Sequence, residues 1–317
     1  VPTCNIEGKR LFYGQGPVTW TGPSQRVRNP YSNYGYYFLT ENDSAALMVD
    51  SAEFLKSFYP SYDFMNTLCE PEEYAWFHGG RNLFDSKVFG NGNSCSYTIE
   101  SAGNSALGYL TVTVTTNAAT IYSISLNDST VGSFVMDGPS SYNAAATSTK
   151  SIRVKNLKPT NTVVLSSARN ADMRLDNIII NTNDYKPLPD FKNTAFAVPE
   201  YVYRITNQNL HAHEAVDMVI IIPATQKLRA QAERLKALHE RLDSMTVRII
   251  PADELFNEFS SGTPDASAYR RYMKMLYDRA QTEDEMPKYL VLFGDGAWDN
   301  RMLSPAWQGN SPDDYLF

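Results

Sequence analysis

The sequence predicts a multi-domain protein in which a β-sandwich, jelly-roll-like module precedes the first part of a parallel α/β sheet. Its 317 residues are enough for two domains of ordinary size. From residue 72 to residue 185, short strand patterns are separated by turn residues roughly every 8–12 positions, as in a sandwich. After residue 205, buried strands alternate with helices, as in a parallel sheet.

Composition and charge place the chain among folded proteins and exclude two classes of partner. Hydrophobic residues make up 43% and charged residues 20% of the sequence, which is typical of folded domains. The net charge of −7 predicts no nucleic-acid partner, because phosphate binding needs a surplus of Lys and Arg. No apolar run approaches the roughly 18 residues of a membrane-spanning helix, so no membrane-spanning segment is predicted.

The start of the chain and the cysteines leave the cellular compartment open. Residue 1 is Val and no charged-then-apolar leader follows it, so we expect a secretory signal to be removed or never present. The three cysteines, Cys4, Cys69 and Cys95, form no Cys-x-x-Cys pair and indicate neither a zinc site nor a redox motif. A Cys69–Cys95 bridge and isolated buried thiols both remain open.

Residues 1–70 are predicted to be a β-rich segment that ends a preceding domain. Residues 11–13 and 18–20 resemble strands without an obvious partner, residues 28–39 an aromatic-rich strand, and residues 51–59 a short helix or an extended insertion. The aromatic run either forms a platform for sugars or fills the sandwich core, and we favour the core. Its members are Tyr31, Tyr34, Tyr36, Tyr37 and Phe38.

Residues 71–190 are predicted to be the β-sandwich, and residues 191–204 a linker. Residues 111–115 alternate Thr and Val with the period of a half-buried strand. Three prolines, Pro187, Pro189 and Pro199, then break any strand ladder and mark a domain boundary. Other predicted strands lie at 134–136, 152–154, 163–165 and 175–180.

Residues 205–317 are predicted to be the first part of a parallel α/β sheet that is incomplete. Three apolar runs without alternation, at 218–222, 246–250 and 289–293, are typical of strands covered on both faces. Thr225 is a candidate cap for the helix after the first strand. A second helix is predicted to begin at Thr263-Pro264-Asp265, which offers a hydroxyl cap, a proline at the first position and an acid favoured by the dipole.

Two groups of residues have the chemistry of metal ligands. His211, His213 and Glu214 could converge on zinc, but no further ligand has a matching spacing, and a turn that leads into the first parallel strand is the more common outcome. Asp295, Asp299, Asp313 and Asp314 follow the third strand. They could hold Ca²⁺ or shape a substrate cleft, although solvated loop acids and helix caps are about twice as frequent.

Two further motifs are weaker signals of ligand binding. Gly294-x-Gly296 lacks the third glycine of a dinucleotide loop, so no nucleotide cofactor is expected. Arg81 with Phe84 could anchor a ligand, but a structural stack is the more frequent arrangement.

The chain resembles the gingipain-like cysteine peptidases, in particular the C-terminal-signal peptidases (sortases) of the type IX secretion system. The longest matching stretch is NEFSSGTPDASA at 257–268, and MKMLYDRA at 273–280 follows it. Looser matches begin at Asn29 and Tyr36 in the first half. The remaining matches lie at 207–211, 217–220, 231–235 and 292–296.

This resemblance implies a caspase-like, gingipain-like peptidase domain after the β-sandwich. Such enzymes cleave peptide bonds with a Cys thiolate activated by a His. The implied reaction removes the C-terminal signal of secreted cargo proteins and can pass the acyl group to an amine on surface polysaccharide. The implied setting is the cell surface or outer membrane of a Bacteroidetes-type bacterium, with an outer-membrane secretion partner and no cofactor.

The chain departs from the family pattern in one respect. The family's His-Gly and nucleophilic Cys follow the strand that ends here at Gly294-Asp295, and Ser311 to Tyr315 resembles a motif upstream of both. No cysteine follows Cys95. We therefore expect no catalytic residue in this chain, a catalytically incomplete fragment whose His and Cys lie beyond Phe317. The alternative is a non-catalytic surface binding or adhesion protein whose β-sandwich binds carbohydrate or cargo.

An incomplete parallel sheet would leave a strand edge unpaired. If further strands normally flank the strand ending at Phe293, its free N–H and C=O groups need a partner. We expect residues 298–317, or another copy of the chain, to cover that edge.

Overall fold

A computed structural model of the chain describes residues 2–40, 45, 47–56, 58–59, 62, 65–77, 80–182, 184–205 and 208–317. It confirms the predicted fold class, because antiparallel sheets are followed by a small parallel sheet with helices. Within these ranges no helix has both the length and the apolar character needed to cross a membrane.

Two β-hairpins open the chain. Strand β1 (Thr3–Ile6) pairs with β2 (Lys9–Phe12), and β3 (Val18–Gly22) pairs with β4 (Gln25–Arg28). The first hairpin turns at Glu7-Gly8, where φ is +49° and +74°, a conformation that glycine adopts without strain. The strands predicted without a partner therefore pair within their own hairpins.

The prediction of an aromatic-rich strand at 28–39 is wrong. Strand β4 ends at Arg28, because Pro30 has no N–H to donate and the Asn29 side chain accepts the Tyr31 N–H at 2.8 Å, which turns the backbone. None of the aromatic side chains at 31–38 joins the sandwich core, so the core interpretation is also wrong. Helix α1 (Ser51–Lys56) confirms the short-helix alternative as far as residue 56; residues 57 and 60 lie outside the described chain.

Eight strands form the β-sandwich. One sheet has the order β10-β7-β12-β5, the other β6-β11-β8-β9, and all neighbours are antiparallel. The strands predicted between 111 and 180 are confirmed, and β5 lies before residue 71. The bounds are β5 Asn66–Cys69, β6 Ser94–Glu100, β7 Gly108–Thr116, β8 Thr120–Leu126, β9 Ser129–Met136, β10 Ala146–Val154, β11 Thr160–Ser167 and β12 Met173–Thr182.

Alternation along β7 separates the sandwich core from the outer face of the sheet. Leu110, Val112 and Val114 point inward and are fully buried in the core. Burial of each such side chain contributes about 1.5–3 kcal/mol. Thr111 and Thr113 point outward, and their hydroxyls bond to side chains of the neighbouring strand β10. A slip of one residue would exchange the two sets, so this pattern fixes the register.

The second part of the chain forms a three-stranded parallel sheet with the order β14-β13-β15. The first strand has the predicted bounds, the second is shifted by one residue at both ends, and the third ends one residue earlier than predicted. The elements are β13 Met218–Ile222, α2 Arg229–Leu242, β14 Val247–Pro251, α3 Ala252–Phe259, α4 Ser267–Arg279 and β15 Tyr289–Leu292, with short 3-10 helices at Leu210–Ala212, Glu283–Glu285 and Pro312–Asp314.

Both predicted helix caps are wrong. Helix α2 begins at Arg229 without a side-chain cap, because the Thr225 hydroxyl donates to Asp314 Oδ1 at 2.7 Å instead. Helix α4 begins at Ser267, four residues after the predicted Thr263 cap. Thr263 instead ends the turn that closes helix α3, a helix not predicted from the sequence. Ser261 and Gly262 have positive φ in this turn, and the Thr263 N–H donates to the Ser260 carbonyl.

The two faces of strand β13 pack against different helices. Val219 and Ile221 face a cluster formed with α3 and α4, whereas Met218, Ile220 and Ile222 face α2. All five residues are at most 4% exposed, which explains why this strand shows no alternation.

The prediction that residues 298–317 cover the free edge of strand β15 is wrong. Leu316 forms a single bridge with Gly296, beyond the end of β15, and otherwise packs with α3 and α4. Leu290 and Leu292 remain 43% and 48% exposed. Cover by another copy of the chain stays a prediction.

Candidate functional site at the carboxyl edge of the parallel sheet

The carboxyl ends of the three parallel strands meet at one edge of the sheet. Ligand sites in open α/β sheets lie in the crevice outside these ends. Three segments border this edge: residues 223–228 after β13, the start of α3 after β14, and residues 293–304 after β15. Leu316 closes over the third segment, donating its N–H to the Asp295 carbonyl at 2.8 Å. This edge, hereafter the carboxyl edge, is the candidate site.

Gly294 allows the first and third segments to approach each other. A Cβ at this position would lie 2.9 Å from Pro223 Cγ and 3.4 Å from Leu316 Cδ1. A larger residue would therefore push the loop after β15 away from the loop after β13. The Gly294-Asp295-Gly296 motif thus serves close packing of the loops at this edge.

Asp299 organises the turn after β15. Its side chain is 1% exposed, and it accepts the N–H groups of Arg301, Leu303 and Ser304 at 3.1, 2.8 and 2.6 Å. Both carboxylate oxygens are therefore engaged by backbone donors. In this structure Asp299 caps a turn.

Arg301 connects this turn to the β-module. Its guanidinium donates to both carboxylate oxygens of Glu72, at 2.6 and 2.5 Å, and to Asn33 Oδ1 at 2.9 Å. The Arg301 side chain is only 2% exposed. No sequence pattern marks any of these three residues, because their partners lie more than 200 positions away along the chain.

The other three acids of the predicted group differ in environment. The Asp314 carboxylate accepts hydrogen bonds from the Thr225 hydroxyl and the Lys227 ammonium group. These bonds lower the pKa of Asp314, and the bond from Lys227 has the larger effect. Burial, and then the neighbouring Asp314, raise the pKa of Asp313. Asp295 is exposed. Calcium binding by this group stays a prediction, and across the described parts of the chain no three His, Cys, Asp or Glu side chains lie where they could hold a metal ion.

Asp253 is a candidate that the sequence analysis missed. It lies in the first turn of α3, directly after β14, and its Oδ1 is buried without a hydrogen-bond partner in the described structure. Burial raises its pKa, and the charge of Asp313 adds to that effect. An acid in a first helical turn is also common in helices without a binding role, so no sequence signal distinguishes Asp253.

The predicted metal pair lies at the opposite, amino edge of the sheet. His211 Nδ1 contacts Glu258 Oε2 at 2.6 Å, and its ring stacks on Phe259. His213 Nδ1 contacts the Tyr272 hydroxyl at 3.0 Å. The 3-10 helix at 210–212 directs the two imidazoles to different partners, so they do not converge on one site.

The three thiols lie in the β-rich part of the chain. Cys4 is buried in the first hairpin, and Cys69 and Cys95 pack against the sandwich core, all three unbridged. Burial raises the pKa of Cys69 and of Cys95, which disfavours the nucleophilic thiolate. No described histidine is a hydrogen-bond partner of these thiols; His78 lies outside the described residues.

Arg81 stacks on Tyr31, with 5.8 Å between its guanidinium carbon and the ring centroid, and not on Phe84. Tyr31 in turn packs against Phe317 at 4.8 Å between centroids. These contacts join the β-module to the α/β unit, and they leave Tyr34, Tyr37 and Phe38 exposed. A sugar platform formed by the aromatic run stays a prediction.

One groove borders the sandwich. A cavity of about 540 Å³ lies between β3, β5 and β6, lined by Val18, Trp20, Thr67, Cys69 and Glu100 among others. Its volume is within the range of ligand pockets, roughly 300–1,000 Å³. It opens at β5 and β6, which are edge strands of the two sandwich sheets.

Comparison with known proteins confirms the resemblance drawn from the sequence. Residues 211–317 match the family model of Peptidase family C25, the gingipain family. The fold matches that of dimeric latent PorU from Porphyromonas gingivalis with a TM-score of 0.69 and 22% identity, over 97% of this chain and 38% of PorU. The chain thus spans less than half the length of this structure. No curated protein matches the chain.

Two shorter matches involve isolated β-domains. The CBM36-1 domain of a xylanase from the hindgut metagenome of Trinervitermes trinervoides has a TM-score of 0.25 and 21% identity, over 37% of this chain and 97% of that domain. A carbohydrate-binding module CBM36 in complex with calcium and xylotriose has a TM-score of 0.25 and 15% identity, over 36% and 96%. At such TM-scores these matches carry no inference about this chain.

Proposed function

We propose that this chain is the β-module and the first part of the peptidase domain of a gingipain-like cysteine peptidase that acts as a C-terminal-signal peptidase, or sortase, in type IX secretion. The observation that carries the proposal is the match of residues 211–317 to Peptidase family C25. The fold shared with PorU over nearly the whole chain supports it. The proposed partners are secreted cargo proteins with a C-terminal signal and an outer-membrane secretion partner, and the proposed setting is the cell surface.

The proposed nucleophile and base are a Cys and a His outside these 317 residues. The placement of the thiols in the hairpin and sandwich supports this part, because a Cys–His pair must lie within hydrogen-bond reach to activate the sulfur. The role of the described residues is then structural: β13 to β15 provide the sheet, and the loops at the carboxyl edge provide one wall of the cleft.

The test is a cleavage assay with a peptide that ends in a type IX C-terminal signal. We expect no thiol-dependent cleavage by the 317-residue chain, and cleavage by a longer product of the same gene that carries a His-Gly and a Cys. A matched Cys→Ala variant of the longer product should be inactive. Thiol-dependent cleavage by the 317 residues alone would contradict the proposed location of the catalytic pair, and an inactive longer product would contradict the peptidase proposal.

The groove beside β5 and β6 favours a second candidate, a binding role for the β-module. Its mixed lining of Trp20, Thr67 and Glu100 suits an extended cargo peptide or a sugar. Binding of cargo by the 317-residue chain that weakens in a Trp20→Ala variant, but not in a variant of the exposed Tyr142, would support it. A stop codon soon after residue 317 would favour this role over the peptidase.

A further inference from the structure

The turn at residues 299–304 is buried although it contributes to none of the three apolar clusters of the described chain. Asp299, Asn300, Arg301, Met302 and Ser304 are each at most 9% exposed. Asn300 Oδ1 and Ser304 Oγ have no hydrogen-bond partner in the described structure. Polar contacts therefore contribute to holding this part of the carboxyl edge in place.

The internal contacts of the turn all depend on Asp299. Its carboxylate accepts the N–H groups of Arg301, Leu303 and Ser304, and its carbonyl accepts that of Met302 at 3.1 Å. These contacts fix the shape of the turn. They do not fix where the turn lies relative to the rest of the molecule.

The external anchor is the ion pair with the β-module. The Arg301 guanidinium donates two hydrogen bonds to the Glu72 carboxylate and a third to Asn33. The Glu72 side chain is 14% exposed. Two parallel N–H···O bonds between a guanidinium and a carboxylate fix orientation as well as distance. Glu72 therefore sets both the position and the direction of Arg301.

Glu72 belongs to a series of ion pairs in which acidic and basic side chains alternate. Arg28 Nη1 lies 3.1 Å from Glu72, and Arg28 also pairs with Glu70 at 2.6 Å. Arg26 then joins Glu70 to Asp176 in the sandwich. Each buried charge thus has an opposite neighbour, which offsets the cost of removing it from water. This series of ion pairs ends at Asp176 on β12, a central strand of its sheet, and that position makes the anchor rigid.

We propose that Glu72 is a positioning residue for the carboxyl edge: through Arg301 it holds the turn at 299–304, so that the β-module builds part of the cleft wall of the peptidase unit. This inference rests on the proposed function for its catalytic meaning. Removal of the Glu72 charge leaves the Arg301 guanidinium buried without a counter-ion, a situation that strongly destabilises a protein locally. The turn is expected to move away from the β-module in response.

Amide hydrogen exchange of the 317-residue chain, read by mass spectrometry or NMR, tests the proposal. In Glu72→Gln we expect the amides of residues 301–304 to exchange about tenfold faster or more, the change produced by loss of a charged hydrogen-bond pair. The sandwich amides around Val112 should keep their wild-type rates. The matched control is Glu73→Gln, which alters an exposed neighbour bonded to Ser86 and should change neither set.

A double variant separates positioning from a general structural effect. If Glu72 acts through Arg301, the variant Glu72→Gln/Arg301→Gln should exchange at residues 301–304 no faster than Glu72→Gln alone, because both changes break the same pair. Arg301→Lys keeps the charge but not the two parallel bonds, and should give an intermediate rate. Unchanged rates at 301–304 in Glu72→Gln, additive effects in the double variant, or equal acceleration of the sandwich amides would each overturn the proposal. The measurement needs no peptidase activity, so its failure is distinct from failure of the proposed function.

Discussion

A single carboxylate joins the amino ends of all three parallel strands. Asp217 Oδ2 accepts the N–H and the hydroxyl of Thr246, each at 2.8 Å, and Oδ1 accepts Lys288 Nζ at 2.9 Å. The backbone carbonyl of Asp217 accepts the N–H groups of Lys288 and Tyr289. The hydrogen bonds from Thr246, followed by the one from Lys288, lower the pKa of Asp217 to about 2.

Replacement of this carboxylate should destabilise the α/β unit in a pH-dependent way. For Asp217→Asn we expect a loss of about 1–2 kcal/mol in the free energy of unfolding at neutral pH, since hydrogen bonds to charged groups are worth roughly 1.5–3 kcal/mol. The folded pKa of about 2 lies below the unfolded value of 3.8, so this stability is present above pH 4 and is lost as pH falls toward 2.

Urea unfolding at neutral pH and near pH 3 measures the effect. The difference between Asp217→Asn and the wild type should shrink at the lower pH. Asp278→Asn is the matched control, because Asp278 is 53% exposed and its pair with Lys274 should be worth less than about 1 kcal/mol. A pH-independent difference would contradict the explanation.

His213 should make the protein less stable in mild acid. Burial, and then the charge of Arg248, lower its pKa below the usual 6.5, while Glu258 acts in the opposite direction. The folded state therefore binds this proton less tightly than the unfolded state does. Stability from this site is complete above pH 6.5 and declines as pH falls below it toward the folded pKa.

The variant His213→Gln retains an acceptor for the Tyr272 hydroxyl but cannot titrate. We expect its stability to depend less on pH than that of the wild type between about pH 5 and 7, as measured by urea unfolding. Parallel curves for the two proteins would show that His213 does not contribute.

At the scale of elements, the two faces of strand β15 differ in how they are covered. Leu290 and Leu292 are about half exposed, whereas Val291 packs with Met218, Ile220 and α2. The cause is the strand order, because α3 and α4 cover β14 and β13 on one face and do not extend over β15. An uncovered apolar edge strand promotes association between chains.

Lysine substitutions should distinguish the two faces. We expect Leu290→Lys to change the free energy of unfolding by no more than about 0.5 kcal/mol and to reduce self-association, because it adds a charge to an exposed edge. Val291→Lys, the matched control on the packed face, should cost about 2 kcal/mol or more. Unfolding curves and light scattering measure the two effects, and equal destabilisation by both would contradict this description.

At the scale of the whole molecule, the described chain contains separate apolar cores joined by polar and aromatic contacts. The sandwich core and the two clusters of the α/β unit share no residue. The connection includes the Arg301–Glu72 pair and the Tyr31–Phe317 contact. We therefore expect each unit to unfold in its own transition.

Core truncations test this organisation. Leu165→Ala in the sandwich and Ile220→Ala in the α/β unit should each cost about 2–5 kcal/mol, because both side chains are fully buried. Calorimetry should show that each variant shifts mainly the transition of its own unit. A single transition lowered equally by both would show that the chain unfolds as one cooperative unit.

The sequence alone determined the fold class and the strands of the α/β unit, and its longer motifs carried the family resemblance. In the β-module it indicated the strands between residues 111 and 180, but not β5 or β6. The strands depend on local periodicity. Strand β7 alternates because one face packs in the apolar core while threonine hydroxyls of the other face bond to side chains of β10, whereas Met218–Ile222 is buried among apolar side chains on both faces. Helix starts were less predictable. The Thr225 hydroxyl, for example, donates its hydrogen bond to Asp314, 89 positions away, and does not cap helix α2.

Only the tertiary structure decided what the candidate site is made of. Arg301 is an ordinary loop arginine in the sequence, and it becomes an anchor because Glu72 lies 229 positions earlier in the chain but 2.5 Å away in space. The same holds for Asp299, whose carboxylate is engaged by its own turn, and for His211 and His213, which the fold separates. Hydrogen-bond partners brought together by packing leave no periodic trace in a sequence, and for that reason no pattern could reveal them.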